Sequence, residues 1–179
     1  GCLGLKKKYK YIILPPENFH TTMSDLIIDN VIMIYRIIDI LNNFTNCKSE
    51  YLIKYRSYEQ LAMYPSKNNV EVGYGELLDY CQKDSIVIGY PGSAMIECLK
   101  NNVRFFSFND FEKKSKNPNI NTLLTKAIYI AKNEEELLDN ILNNKIFKPG
   151  YSVKDLLYSD GMSLCEMVSY ILNNQKSIK

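Results

Sequence analysis

The chain is poor in the residues that most often carry metal and acid–base chemistry. Its 179 residues include no tryptophan, five cysteines and one histidine, His20. The cysteines are widely spaced with no Cys-x-x-Cys pair, and there is only one histidine to complete a metal site. We therefore expect no metal cofactor, and we expect the cysteines to be reduced and mostly buried as small apolar side chains.

The chain also lacks a concentrated charge of one sign. Its formal net charge is +2, and its only tight basic run is residues 6–10 (KKKYK). A protein that binds the phosphate backbone usually shows a larger basic face, so we do not expect nucleic acid as a partner. The basic run is best explained as a solvated chain end, and contact with a membrane surface is the alternative.

No uninterrupted apolar run is long enough to span a membrane. The closest is residues 26–41, which Asp29, Arg36 and Asp39 interrupt. The chain opens with Gly1-Cys2, with neither an initiator methionine nor a signal peptide, which suggests a fragment of a longer protein. We expect a cytoplasmic protein, associated at most peripherally with the inner face of the membrane.

Apolar β-rich segments alternate with segments of helical periodicity. Strands are predicted at residues 9–14, 51–55, 70–72, 86–88, 103–108 and 127–131. Helices are predicted at residues 23–42, 94–100, 134–142 and 163–174, with a helical turn at residues 76–81. Asn133 is expected to cap the third of these helices, with Glu136 completing a capping box.

This alternation predicts an α/β fold, namely a doubly wound parallel sheet of about six strands in a three-layer αβα arrangement. With 46% hydrophobic and 23% charged residues, the composition is typical of one globular domain. We expect a linker or edge segment in residues 1–10, the sheet and its helices in residues 11–160, and a final helix in residues 161–179.

The most informative stretch is residues 84–97 (DSIVIGYPGSAMIE), which predicts a strand, a tight loop and a helix. In an open α/β sheet such a junction lies at the carboxyl end of a strand, where ligands bind. Gly92 would allow a phosphate to approach the backbone, and Ser93 would add a hydroxyl and cap the helix. The alternative is that Ser93 only caps the helix.

Glu97 follows Ser93 by four residues, so both side chains are expected on the same side of the helix. A carboxylate within an apolar helix is costly unless something satisfies it, and a ribose diol would do so. The alternatives are a solvent-facing Glu97 or a pair with Lys100.

Four segments of the chain carry a resemblance to a known family: residues 75–81 (GELLDYC), 84–89 (DSIVIG), 92–97 (GSAMIE) and 103–106 (VRFF). Together they resemble the carboxyl-terminal, donor-binding half of GT-B glycosyltransferases, most closely those that build bacterial surface polysaccharides. The likeness extends over roughly residues 11–174, but its specific part is residues 75–108.

The resemblance implies a nucleotide-sugar as donor substrate and a Rossmann-like half of a GT-B fold. It implies that Gly92, Ser93 and Ala94 contact the diphosphate and that Glu97 contacts the ribose hydroxyls. The loop of residues 71–74, which includes Tyr74, would lie near the base. The glycan acceptor would bind through an amino-terminal domain that this chain lacks, so the isolated domain is expected to be inactive, with no metal required.

The chain departs from related families at two candidate positions. Several of them place a His-Pro pair after the second strand, where this chain has Tyr55-Arg56-Ser57. Arg56 or Lys54 would supply the phosphate contact instead, unless Arg56 only forms a surface pair. His20, in the loop after the first strand, is a candidate general base because its pKa is ordinarily near neutrality, and an exposed loop histidine is the alternative.

Two other functions remain open from the sequence. A nucleotide-sugar epimerase would share the two-lobed fold. A non-catalytic binding module of flavodoxin-like architecture would use Gly92-Ser93 only as a tight turn.

Overall fold

A computed structural model describes residues 7–15, 24–45, 50–55, 69–108 and 126–156. These residues form one sheet with helices on both of its faces. The six strands are β1 (Tyr9–Ile13), β2 (Tyr51–Tyr55), β3 (Val70–Tyr74), β4 (Cys81–Gly89), β5 (Arg104–Phe108) and β6 (Ile130–Ala131). The helices are α1 (Ser24–Thr45), α2 (Ser93–Lys100), α3 (Glu134–Leu142) and α4 (Val153–Leu156), with a 3-10 helix at Leu77–Tyr80.

The strands are all parallel and lie in the order β3-β2-β1-β4-β5-β6. From β1 the chain builds outward to β3, crosses back to place β4 beside β1, and then builds outward in the other direction. This confirms the doubly wound sheet, and the order is that of the dinucleotide-binding fold. It differs from the 2-1-3-4-5 order of flavodoxin-like sheets, so the architecture expected for the binding-module alternative is not the one observed.

Each face of the sheet buries its own apolar cluster because successive side chains of a strand point to opposite faces. On one face, Ile13 packs with Ile34 and Ile37 of α1. On the other face, Ile12 packs with Met95 and Cys98 of α2. Helices α1 and α3 therefore cover one face and α2 and α4 the other, which confirms the three layers.

The fourth strand begins five residues earlier than predicted, and its first half is irregular. Cys81 pairs with Tyr9 and Ile86 pairs with Tyr11, so residues 82–85 bulge out of the ladder. The buried Ser85 holds the bulge, since its hydroxyl accepts from Gln82 N at 2.7 Å and donates to Tyr9 O at 2.6 Å. The regular part of β4 agrees with the predicted strand at residues 86–88. Just before it, the predicted helical turn is the 3-10 helix.

The last strand is shorter than predicted. Only Ile130 and Ala131 pair with β5, whereas Ile128 forms an antiparallel bridge with Phe147. Lys126 and Ala127 are helical instead, so only the last two residues of the predicted strand join the sheet. The short helix α4 was not predicted, and the predicted helix at residues 163–174 lies outside the described residues.

The cap of α3 forms largely as predicted. Asn133 Oδ1 accepts from Glu136 N at 2.8 Å, and α3 has the predicted bounds. The Glu136 carboxylate accepts from Lys132 N at 2.9 Å. In a capping box this bond would come from the N–H of the N-cap, Asn133, so the observed bond is displaced by one residue.

Candidate functional site

The candidate site lies where the strand order reverses, between the carboxyl ends of β1 and β4. Leu14 N donates to Ile88 O at 2.8 Å, which continues the pairing of these two strands beyond Ile13. From this point the chain leaves β1 toward α1 on one face and leaves β4 toward α2 on the other. Such a reversal opens a crevice at the carboxyl ends of the strands, which is where open α/β sheets bind ligands.

Gly89 is the last residue of β4 and lies at this reversal. A Cβ at position 89 would lie 3.0 Å from Leu14 Cβ and 3.3 Å from Phe105 Cζ, closer than ordinary contacts. Glycine therefore lets the ends of β1 and β4 pack directly against each other. Sequence reasoning missed this residue, although its place as the last residue of a buried strand signals a close approach of backbone.

The amino terminus of α2 lies at the same end of the sheet, four residues after Gly89. Gly92 is the N-cap, and its carbonyl accepts from Met95 N at 3.1 Å and from Ile96 N at 3.3 Å. The N–H groups of Ser93 and Ala94 come before Met95 in the chain and therefore lie at the amino terminus of the helix. A Cβ at Gly92 would have no atom within 4 Å, so the space beside it is open.

The structure corrects one detail of the prediction for this turn. Ser93 was expected to cap α2, but it is the first helical residue, and the N-cap makes no side-chain capping bond. Ser93 is exposed at the start of α2. Its hydroxyl therefore lies beside the amino terminus of α2 and does not cap it.

Glu97 lies one turn further along α2 and is half-buried. Among the described residues, no ion pair or hydrogen bond reaches its carboxylate, so the expected alternative of a pair with Lys100 does not form. Its main-chain oxygen accepts from Asn101 Nδ2 at 2.9 Å. The carboxylate is a candidate for an external partner.

Lys54 of β2 lies on the α2 face of the sheet, because Leu52 two residues before it packs in the α2-side cluster. Burial is the main cause of the raised pKa of the Cys98 thiol, Glu97 raises it further, and Lys54 acts in the opposite sense. Both charged side chains thus act on one buried atom of α2. Lys54 is half-buried beside Gly73 in the strand register, and it makes contacts of its own.

Two exposed tyrosines stand at the carboxyl ends of strands. Tyr74 ends β3 and is 49% exposed, and Tyr90 follows β4 and is 40% exposed. The main-chain oxygen of Tyr74 accepts from the Tyr80 hydroxyl at 2.6 Å, which fixes the turn after β3. The sequence analysis named Tyr74 as a candidate and missed Tyr90. The position of Tyr90 directly after the buried strand β4 could have indicated it.

Residues 71–74 are a strand and not the loop expected near a base. The Glu71 carboxylate accepts from Lys7 Nζ and from the Tyr9 hydroxyl, near the start of β1. These two donors hold the pKa of Glu71 below its usual range. Glu71 is therefore a structural anchor at the other end of the sheet, which leaves Tyr74 as the candidate in this segment.

Arg56 and His20 lie outside the described residues, so their roles stay predictions. Over the part of the chain that the structure describes, no three metal-ligating side chains cluster. In the same part, no helix is long and apolar enough to cross a membrane.

The fold and this crevice define a Rossmann-like α/β domain with a candidate ligand site at the strand-order reversal. Comparison of the chain with protein-family models, with curated proteins and with solved structures gives no significant match.

Proposed function

We propose that this chain is the nucleotide-sugar donor-binding domain of a glycosyltransferase that builds a bacterial surface polysaccharide. The observation that carries the proposal is the position of α2, whose amino terminus lies at the reversal between β1 and β4. Helix amino termini at such crevices bind phosphate groups, because their N–H groups and dipole favour negative charge.

The diphosphate would lie against the first turn of α2. The open space beside Gly92 admits a phosphate oxygen close to the backbone. The N–H groups of Ser93 and Ala94 and the Ser93 hydroxyl are the donors offered there. Lys54, on the same side of the sheet as α2, adds positive charge, and Arg56 is the further candidate from the end of β2.

The ribose would lie beside Glu97. Four residues of helix rise about 6 Å, so the Glu97 carboxylate lies one turn from the proposed phosphate position. This separation suits a nucleoside diphosphate whose ribose runs along the helix. A carboxylate accepts hydrogen bonds from both hydroxyls of a diol, which would satisfy the half-buried Glu97 without another protein group.

In glycosyl transfer the bond between the sugar's anomeric carbon and the diphosphate oxygen breaks while an acceptor hydroxyl bonds to that carbon. Negative charge grows on the departing diphosphate, where the α2 terminus and Lys54 would stabilise it electrostatically without requiring a metal. The acceptor hydroxyl must lose a proton to a base. His20 is this chain's candidate for that role, and a domain that binds the glycan acceptor would have to stand opposite the crevice.

Calorimetric titration of the chain with UDP, CDP and GDP, and with the matching nucleosides, tests the proposal. We expect one nucleoside diphosphate to bind and its nucleoside to bind much more weakly, because the phosphates supply the contacts at α2. A ligand at a hundred times its Kd should also stabilise the fold by about 2.7 kcal/mol, which a melting curve detects. No binding of any of the three at millimolar concentration would contradict the proposal.

Product analysis separates glycosyl transfer from epimerisation. An epimerase converts the donor sugar without any acceptor, and NMR of the incubated nucleotide-sugar would show a second sugar isomer. We expect no such isomer.

A further inference from the structure

The helix layer formed by α1 and α3 exposes apolar side chains to solvent. Among the described residues, six large hydrophobic side chains are 40% exposed or more, and three of them are tyrosines, whose hydroxyls suit water. The other three have no polar atom, and all of them lie on α1 or α3: Ile32, Phe44 and Leu142. Exposed apolar side chains that form one patch mark a surface for interaction with another molecule.

The exposed side chains of α1 and α3 lie along an apolar groove between the two helices. At one end of the groove Arg36 Nη1 lies 3.8 Å from Glu134 Oε1. Residues 37–41 of α1 and residues 134–141 of α3 line it, so the two helices continue in the same direction from this contact. One turn further along, each helix places an apolar side chain in the groove, and the next turn of each carries an exposed one. These four side chains are called the α1–α3 patch below: Ile40, Phe44, Leu138 and Leu142.

The exposed side of α1 is complementary to a second copy of itself. Ile32, Arg36, Ile40 and Phe44 follow one another at intervals of four residues and so form one ridge along the helix. When two such ridges run in opposite directions about a twofold axis beside Ile38, Ile32 meets the partner's Phe44. Apolar side chains then meet at both ends of the ridge. Ridges of this spacing pack against each other in the commonest class of helix contact.

The charges beside the ridge fit the same antiparallel pairing. Asp39 is exposed and makes no ion pair with any described residue. The Arg36 side chain is 67% exposed, and its 3.8 Å contact with Glu134 is a loose one. About the same twofold axis, Arg36 comes level with the partner's Asp39, and symmetry forms this pair twice. The match of charge with charge favours a second copy of the chain as the partner of this face.

We propose that the chain forms a twofold-symmetric dimer through the exposed sides of α1 and α3, with the two α1 helices antiparallel. The α1–α3 patch of each copy flanks the contact between the ridges and is withdrawn from water there. The candidate site stays accessible, because α2 lies on the other face of the sheet. The dimer is independent of the proposed function, since it uses none of the residues of that site.

Sedimentation velocity of the full chain over a range of concentrations tests the dimer. We expect a reversible equilibrium between monomer and dimer. Phe44→Glu should weaken dimerisation about thirtyfold or more, as the loss of an interface hot spot does. The matched control is Tyr151→Glu, which places the same charge at a side chain that is 40% exposed in the segment before α4. It should sediment like the wild type.

An exchange of charges tests the antiparallel register. Arg36→Asp sets a negative charge against the partner's Asp39 and should weaken the dimer about tenfold. Adding Asp39→Arg to this variant exchanges the two charges, so the double variant should regain most of the lost affinity. A contact that does not follow the twofold axis would give no such recovery.

Four results would overturn the proposal. The first is a wild-type chain that stays monomeric, and the second is an equal effect of Phe44→Glu and Tyr151→Glu. The third is a charge exchange that fails to restore the dimer. The fourth is a monomer whose melting temperature falls in Phe44→Glu, which would show that another part of the same chain covers this face.

Discussion

Leu14 and Gly89 bring the ends of β1 and β4 into direct contact, since a Cβ at position 89 would lie 3.0 Å from the Cβ of Leu14. The ring of Phe105 closes the same position from β5, at 3.3 Å. An alanine here must displace at least one of these side chains. Because the contact lies directly beneath the turn before α2, it links the packing of the sheet to the shape of the candidate site.

The first prediction compares two glycines of this region. Gly89→Ala should destabilise the fold by about 1 to 3 kcal/mol, because overpacking forces its neighbours to move. Gly92→Ala should cost at most about 1 kcal/mol as a weaker N-cap, since its Cβ meets no atom within 4 Å. Denaturant unfolding measures both.

The two variants should separate more clearly in ligand binding. Gly92→Ala fills the space proposed for a phosphate oxygen, so we expect it to weaken nucleoside diphosphate binding while the fold stays intact. Unchanged affinity in Gly92→Ala would exclude a phosphate beside this residue.

The second prediction concerns Glu97. Glu97→Ala should weaken nucleoside diphosphate binding by about 1 to 3 kcal/mol, because the ribose hydroxyls lose their acceptor. Calorimetry measures the loss, and Glu135→Ala on the exposed face of α3 is the control with the same change in charge. A 2′,3′-dideoxy nucleotide should bind the wild type and Glu97→Ala about equally. Unfolding of Glu97→Ala without a specific binding loss would make Glu97 structural.

The third prediction is a pH dependence that Glu71 confers. Its folded pKa lies below the ordinary value of 4.5 because Lys7 and Tyr9 donate to its carboxylate. The unfolded chain therefore takes up a proton at higher pH than the folded chain does, and the stabilisation present above that pH is lost as the pH falls through the folded pKa. Melting temperatures between pH 6 and pH 3, taken at intervals, should fall more steeply for the wild type than for Glu71→Gln. Parallel curves would contradict the role of this anchor.

The fourth prediction concerns the reactivity of two cysteines. Burial raises the pKa of the Cys81 thiol to about 11, and Cys98 is fully buried with its thiol pKa raised as well. Because the thiolate is the reactive form, iodoacetamide near neutral pH should modify Cys81 slowly and Cys98 only after unfolding. Peptide mapping by mass spectrometry reads each site separately. Rapid labelling of Cys98 in the folded protein would contradict the packing of α2.

Local sequence signals predicted the elements whose determinants are local. The strand at residues 51–55 and the helix at residues 134–142 have the predicted bounds, the latter because Asn133 caps its own first turn. The β4 bulge was not predictable in the same way, because it depends on a bond from Ser85 to Tyr9, 76 residues away. Ile128, which was predicted as part of the last strand, likewise bridges Phe147, a residue that lies beyond α3 in the sequence.

Only the candidate-site residues that are close together in the sequence were predicted to share a site. Gly92, Ser93 and Glu97 follow one another along the chain, so a strand, turn and helix pattern places them together. Gly89 against Leu14 is a contact between strands distant in sequence, and the strand order decides it. Glu71 was misassigned because its partners, Lys7 and Tyr9, come from the start of another strand.

Backbone amide NMR shifts on addition of the nucleoside diphosphate that binds best test the central claim most directly. A site at the strand-order reversal predicts that the largest shifts fall on Leu14, on Tyr90 and on residues 92–95, and that the Glu97→Ala variant keeps this pattern at reduced affinity. Amides at the opposite edge of the sheet, such as those of Lys83 and Arg104, should not move. Shifts centred on that edge, or none at saturating nucleotide, would contradict a donor site at the amino terminus of α2.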